Sequence, residues 1–172
     1  VAEVFYRLMT ADARVANWAT GNSYSDVIDT AWYTDAINVM SKAGIVNGYE
    51  DGTARPNRAI TRAEFAMIAS QFLADYVEDP GTTTFTDIQG HWAESAIRKV
   101  QSIGWVNGDA GTTNFRPNDK ITRAEAAVIF NNMLERTPDA EHLDGAMKVW
   151  PDNDPGAWYY AAMQEATNSH YY

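Results

Sequence analysis

A five-residue sequence, Ile-Thr-Arg-Ala-Glu, occurs twice in the chain, at 60–64 and at 121–125. Each copy follows an Arg-Pro-Asn loop and opens a run of apolar residues at helical spacing. Thr followed three residues later by Glu is a capping box, in which the Thr hydroxyl and the Glu carboxylate accept hydrogen bonds from first-turn and cap amides. The sequence therefore predicts a helix beginning at each copy, and it predicts that one structural unit is built twice.

The arginine of each copy, Arg62 or Arg123, is not explained by helix capping. A cation in the first turn opposes the helix dipole, at a cost of about 0.3–1 kcal/mol. The repetition of this unfavourable placement indicates that the arginine has either a structural partner, such as a carboxylate of a neighbouring unit, or a ligand. The residues alone leave both interpretations open.

Further matches extend the repeats. The aromatic-x-Asp sequence at 24–26 returns at 85–87, an offset of 61 residues, and the two complete repeats run over 24–74 and 85–136. The chain ends hold two halves of a third: 1–9 resembles the end of a second helix, and 149–172 resembles a first half. The polar stretches 10–23, 75–84 and 137–148 are predicted to be linkers.

Each repeat is predicted to be a helix, a turn-rich loop and a second helix. The first helices are expected over Trp32–Ala43 and Trp92–Ile103, ending at Gly44 and Gly104 as C-terminal caps. A two-helix unit cannot bury its apolar face alone, so the units must pack on one another. We therefore predict one mostly α domain over 1–172, a pseudo-threefold body whose third unit is split between the chain ends.

Composition excludes several classes of protein. A net charge of −10 argues against a nucleic-acid surface, and the absence of cysteine excludes disulfides and thiolate metal sites. The chain begins without Met and without the basic start of a signal peptide, as expected of a fragment or a processed form. Residues 152–156 superficially suggest a calcium loop, but Met163 stands at its twelfth position. We predict no catalytic residue, metal or cofactor.

In this order the motifs resemble the S-layer homology family of bacterial cell-surface anchoring modules. The resemblance is carried by Phe-Thr-Asp at 85–87, Gly-His-Trp-Ala at 90–93, the Gly-Ile to Gly-Thr stretch at 44–53 and both Ile-Thr-Arg-Ala-Glu copies. It covers nearly the whole chain. Departures are Ala54 in place of the family's Phe, an altered loop at 109–111, no Gly-His before Trp32, and no loop or capping Arg in the third unit.

The resemblance implies a non-catalytic, extracellular module that binds an acidic, often pyruvylated, secondary cell-wall polysaccharide in grooves between three units. It also implies that the motif arginines, Arg62 and Arg123, contact the ligand. The chemistry is consistent with this role, because helix-start amides and a first-turn guanidinium together suit a carboxylate such as a pyruvyl ketal. No membrane-spanning segment is expected.

The remaining candidate ligand contacts are aromatic residues and loop residues. Trp32 and Trp92, which recur in the third unit as Trp158, offer faces on which sugar rings stack. They also lie on an apolar helix face, so core packing is the alternative. The loop candidates are Asp51, Gly52, Thr53 and Asp109, for which turn formation alone is the alternative.

Three other functions remain open from the sequence. The incomplete terminal repeats of 1–9 and 149–172 could pair between copies, giving a self-associating surface-layer module and a homo-oligomer. A related module of a Gram-negative-type envelope would bind peptidoglycan instead of the polymer. A wall-glycan hydrolase would need a pair of carboxylates, for which an acidic chain has many candidates.

Overall fold

The computed structural model describes residues 1–73, 81–139 and 146–168. These ranges contain α-helices and no strand, which confirms the mostly α prediction. The ends of the predicted repeats at 74 and 172, and parts of the linkers 75–84 and 137–148, lie outside the described residues. The helices are α1 (Ala2–Leu8), α2 (Ala11–Ala16), α3 (Thr34–Lys42), α4 (Arg62–Ser70), α5 (Glu94–Ser102), α6 (Arg123–Met133) and α7 (Tyr160–Thr167).

Helices α4 and α6 begin at the predicted capping boxes. The Glu64 amide donates to the Thr61 hydroxyl at 3.1 Å, and the Thr61 amide donates to the Glu64 carboxylate at 2.6 Å. The same two bonds join Thr122 and Glu125 at 3.2 and 2.7 Å. Both bonds of each box satisfy amides that a helix start leaves without an intrahelical partner. The predicted starts of both second helices are confirmed.

The first helices end as predicted but begin later. Gly44 and Gly104 follow them with φ of +73° and +77°, the left-handed conformation that glycine adopts without strain. The helices begin at Thr34 and Glu94 rather than at the tryptophans, because the preceding residues form a tight turn. In the second repeat the Glu94 amide donates to the carbonyl of His91 at 2.9 Å, so the chain reaches helical geometry two residues after the predicted start.

The helices pack between repeats rather than within one. Among the described residues three helix pairs pack together: α1 on α3, α4 on α5 and α6 on α7. This is the packing expected if α1 ends one unit and α7 begins another. Each two-helix unit therefore buries its apolar face against a neighbour, as the sequence predicts.

Three phenylalanines from α1, α4 and α6 meet in the core. The ring centroids of Phe5 and Phe65 are 5.2 Å apart, those of Phe5 and Phe130 are 5.0 Å apart, and those of Phe65 and Phe130 are 5.3 Å apart. Phe5 and Phe65 are fully buried. The short terminal helix α1 is thus joined to the second helices of both complete repeats. The pseudo-threefold arrangement itself stays a prediction.

The aspartate of each aromatic-x-Asp sequence anchors the Arg-Pro loop of its own repeat. Asp87 accepts hydrogen bonds from the amides of Phe115 and Arg116 at 2.9 and 2.7 Å, and Asp26 accepts the equivalent pair at 2.7 and 2.8 Å. Arg55 and Arg116 have φ of +52° and +56°, which is uncommon for residues with a side chain. The two charge-assisted bonds hold this conformation and fix where the second helix begins.

Candidate functional site

Arg62, the first residue of α4, lies between the two complete repeats and is 6% exposed. Its Nη1 pairs with Glu125 Oε1 at 2.5 Å, and its Nε donates to the carbonyl of Phe115 at 2.6 Å. The guanidinium also lies over the Phe115 ring, 4.7 Å from its centroid. Burial lowers the pKa of Arg62, and the nearby Glu125 carboxylate opposes that shift. Arg62 therefore has a structural partner in the neighbouring repeat.

The second repeat also satisfies the free amides at the start of α4. The Arg62 amide donates to the carbonyl of Asp119 at 2.8 Å, and the Ala63 amide donates to the carbonyl of Pro117 at 2.9 Å. A short antiparallel bridge joins Thr61 and Lys120 beside them. The positive end of this helix dipole is thus covered by protein rather than left open.

Arg123 occupies the same motif position in the second repeat, but its surroundings differ. Its side chain is exposed and lines a cleft of about 1130 Å³. Among the residues that the structure describes, no carboxylate lies within ion-pair distance of Arg123, and neither its amide nor that of Ala124 has a hydrogen-bond acceptor. The start of α6 therefore presents a guanidinium and two free amides to the cleft.

The cleft lies between the second repeat and residues 150–167, and Arg62 of the first repeat also lines it. One wall is formed by the 108–110 loop, Arg116 and the first turn of α6. The other is formed by residues 150–153, Trp158, Tyr159 and the α7 residues Met163 and Thr167. Trp158, whose side chain is 71% exposed, lines this second wall, and the Tyr159 ring meets it edge-on at 5.5 Å. The cleft thus combines arginines, some of them paired with carboxylates, on one side with an indole face on the other.

The predicted contact Asp109 lies in this cleft, where it holds an arginine. Arg116 binds the Asp109 carboxylate through Nε at 2.5 Å and Nη2 at 2.8 Å. Arg116 also pairs with Asp119 at 2.9 Å and with Glu125 at 3.1 Å. The hydrogen bonds from Arg116 lower the pKa of Asp109. Asp109 therefore positions Arg116 on the wall of the cleft and remains ionised at neutral pH.

The loop candidates of the first repeat form a turn outside this cleft. The Asp51 carboxylate accepts from the Thr53 amide at 3.1 Å, from the Thr53 hydroxyl at 2.5 Å and from Arg55 Nη2 at 2.7 Å. The Thr53 hydroxyl and then Arg55 lower the pKa of Asp51 to about 2. Gly52 has a φ of +76°, as the turn requires. Asp51, Gly52 and Thr53 therefore form a turn, and their contact with a ligand stays a prediction.

The tryptophans are exposed, so the alternative that they pack in the core is wrong. The exposed fractions are 77% for Trp32, 61% for Trp92 and 71% for Trp158. The reason is the later start of each first helix, because a residue in the preceding turn is not on the buried helix face. Trp158 lines the cleft described above, whereas Trp32 and Trp92 are not among its lining residues.

Sequence reasoning missed Arg116, which shapes the site, and Arg58, which pairs with the capping glutamate of the first repeat outside the cleft. Arg116 forms the cleft wall, and Arg58 supplies Glu64 with the positive partner that Glu125 receives from Arg62. Arg58 is replaced by Asp119 at the same loop position in the second repeat. The recurrence of Arg-Pro-Asn before both capping boxes was the signal that could have identified Arg116. No comparable signal marks Arg58, because it does not repeat.

The sequence model of the S-layer homology domain matches residues 23–66 and 84–127 of this chain. These two matches coincide with the capping boxes, the Arg-Pro loops and the aromatic-x-Asp anchors of both repeats. The chain belongs to the S-layer homology domain family.

Individual relatives agree with this assignment. The chain is 34% identical to cell surface glycoprotein 1 of Acetivibrio thermocellus and 34% identical to the cellulosome-anchoring protein of the same organism, each over 99% of its length. It is also 34% identical, over 81% of its length, to an S-layer protein of Bacillus licheniformis. The aligned regions span 8%, 38% and 16% of those proteins, so this chain corresponds to one part of each. Among its described residues no helix is long and apolar enough to cross a membrane.

Proposed function

We propose that the module anchors its parent protein by binding an acidic, pyruvylated secondary cell-wall polysaccharide in the cleft between the second repeat and the α7 half-repeat. The observation that carries this proposal is Arg123, an exposed guanidinium at a helix start with no acidic partner among the described residues. The chain has a net charge of −10, yet in its described part Arg123 faces the cleft without a carboxylate partner.

The donors at the start of α6 suit a carboxylate. The Arg123 guanidinium can donate two parallel hydrogen bonds, and the amides of Arg123 and Ala124 add further donors at the positive end of the helix dipole. In α4 the equivalent amides already bind loop carbonyls, and Arg62 already binds Glu125. The pyruvyl ketal of a modified sugar would therefore bind at α6 rather than at α4.

Trp158 supplies the second element of a sugar site. Its exposed indole ring lies on the same cleft as Arg123 and Arg116. The apolar face of a pyranose ring packs on an aromatic ring, while its charged substituent reaches the guanidinium. Arg62 also lines the cleft, where its pair with Glu125 fixes the first turn of α6 against the first repeat.

The test is calorimetric titration of residues 1–172 with isolated secondary cell-wall polymer, in its native form and after mild acid removal of the pyruvyl groups. We expect the native polymer to bind and the depyruvylated polymer to lose at least about tenfold in affinity, the equivalent of a charge-assisted hydrogen-bond pair. Arg123→Ala should cause a similar loss.

Arg7→Ala is the matched control. Arg7 is exposed on α1, where it pairs with Glu3 of its own helix at 2.7 Å, and it is outside the cleft. Equal binding of both polymer forms would overturn the assignment of the carboxylate as the recognised group. Binding to polymer-free peptidoglycan with the same affinity would identify the peptidoglycan-binding variant instead.

A further inference from the structure

Arg116 lines the cleft, but all three nitrogens of its guanidinium are bound to carboxylates of the second repeat. Nε and Nη2 donate to Asp109 at 2.5 and 2.8 Å, Nη1 donates to Asp119 at 2.9 Å, and Nη2 also donates to Glu125 at 3.1 Å. The hydrogen bonds to Asp109 and Asp119 raise the pKa of Arg116. The two parallel bonds to Asp109 form the strongest type of arginine–carboxylate contact. The positive charge of Arg116 is therefore compensated within its own repeat.

The turn that contains Asp109 does not need a carboxylate at this position. Tyr49 stands there in the loop of the first repeat. The Tyr49 amide donates to the Thr53 carbonyl at 2.8 Å, and the Asp109 amide donates to the Asn114 carbonyl at 3.0 Å. The backbone thus turns in the same way with either side chain. The carboxylate of Asp109 has a different role, and its hydrogen-bond partner is Arg116.

The charges of the cleft cancel. Its described lining residues include three arginines and three carboxylates: Arg62, Arg116, Arg123, Asp109, Glu125 and Asp152. Arg62 is buried in its pair with Glu125, and Arg116 is held as described above. Arg123 has no carboxylate within ion-pair distance in the described part of the chain. An anion that enters the cleft therefore meets one uncompensated guanidinium.

We propose that Asp109 is a specificity-determining residue, which masks Arg116 so that the cleft accepts a sugar with one acidic group rather than a more highly charged polymer. This inference rests on the proposed binding of an acidic polysaccharide in the cleft. The Asp109 carboxylate acts in two ways: it occupies two donors of Arg116, and it repels a second anionic group at that wall. Without its charge, Arg116 would offer a second carboxylate the same paired donors.

The experiment compares the parent chain with Asp109→Asn on two forms of the wall polymer, by calorimetric titration. One form is the native polymer. The other is the same polymer after oxidation of its primary hydroxyl groups to carboxylates, which adds acidic groups and keeps the sugar backbone. We expect the parent to bind the oxidised form no more tightly than the native form. Asp109→Asn should bind the oxidised form at least about fivefold more tightly than the native form, because Arg116 can then pair with a second carboxylate.

Two further variants separate the release of Arg116 from a change in charge. The double variant Asp109→Asn with Arg116→Gln should show no preference for the oxidised form, because it has no guanidinium to release. Asp35→Asn removes the same charge from an exposed position outside the cleft and should behave as the parent does. Asp109→Ala is a second test of the same carboxylate and should show the preference of Asp109→Asn. Thermal melts would establish that each variant is folded.

The masking role would be overturned by equal affinity of Asp109→Asn for both polymer forms, or by weaker binding of both. A preference for the oxidised form in the parent or in the double variant would overturn it too, because Arg116 would then not be the group that Asp109 controls. Failure of the proposed function is a different result. In that case the parent would bind native and depyruvylated polymer equally, whatever Asp109→Asn does.

Discussion

The Arg62 guanidinium and the Glu125 carboxylate come from successive copies of one five-residue sequence and meet at 2.5 Å across the repeat boundary. The glutamate has a second role, because it also caps its own helix through Thr122. The motif therefore acts in two directions: the Glu of each copy closes its own helix start, and the Arg of the first copy binds the next repeat. The pair with Glu125 explains why the positive charge of Arg62 is tolerated at the positive end of the α4 dipole.

We expect Arg62→Ala to destabilise the domain by about 3 kcal/mol, because breaking a buried ion pair leaves its partner without full compensation. Arg123→Ala is the matched control, since it changes the same motif position where the side chain is exposed, and it should cost less than about 0.5 kcal/mol. Urea unfolding of both variants measures the difference. Equal stability losses would show that the pair across the repeats contributes nothing specific.

Gly108→Ala should destabilise the domain strongly. Gly108 has a φ of +67°, and an added Cβ would overlap the Phe85 ring and lie 2.7 Å from the Asn114 carbonyl oxygen. Gly111, with a φ of +74°, has open space around it, so Gly111→Ala should cost only the conformational strain of about 1 kcal/mol. We expect Gly108→Ala to lower the melting temperature several degrees further than Gly111→Ala. Similar melting temperatures would mean that the Phe85 ring and the Asn114 carbonyl both move away freely.

Stability should fall in acid. Burial by itself raises the pKa of Glu125, but hydrogen bonds from Thr122 and the charges of Arg62 and Arg116 outweigh it, so the pKa lies below its usual value. The pKa of an unfolded Glu is about 4.3, so this stabilisation is complete above that pH and is lost as the pH falls through the lower folded pKa. Melting temperatures between pH 6 and pH 2 measure it.

The control for this pH dependence is Glu125→Gln, which cannot titrate. Its melting temperature at pH 6 should be lower than that of the parent, and the difference should shrink toward pH 2. Because the pKa of Glu64 is also lowered, some loss in acid should persist in the variant. Parallel curves for the parent and Glu125→Gln would contradict the role assigned to this carboxylate.

Trp158→Ala should weaken polymer binding about fivefold or more with little effect on folding, because the indole is exposed and its proposed contact is with the sugar ring. Trp18→Ala is the matched control: that indole is 49% exposed and does not line the cleft. Retention on wall polymer under increasing salt separates the two. An equal effect of both variants would place the sugar elsewhere.

Phe5→Ala should detach α1 from the core at a cost of about 3–5 kcal/mol, typical of a buried Phe replaced by Ala. Val4→Ala, a change to a 42% exposed neighbour on the same helix, should cost less than about 1 kcal/mol. Hydrogen exchange of the α1 amides would show whether this helix opens by itself. If Phe5→Ala left their protection unchanged, the aromatic cluster would not be what holds α1.

Local signals in the sequence were sufficient for the helix starts at Thr61 and Thr122 and for the helix ends at Gly44 and Gly104. Each depends on hydrogen bonds or backbone angles within a few residues, so neighbouring residues determine it. The first-helix starts were misplaced for a related reason. The tryptophans continue the apolar spacing of the helix, and only the turn in front of it shows that they lie outside.

The sequence by itself determined the repeat, its caps and its family, because these depend on residue types at fixed spacing. The division into repeat boundaries and the threefold arrangement remain predictions from that pattern. Only the tertiary structure distinguished Arg62 from Arg123, which stand in identical five-residue sequences. Both line the same cleft, but Arg62 is buried in an ion pair with a carboxylate of the next repeat whereas Arg123 is exposed, because the partners of a side chain are set by what packs beside it.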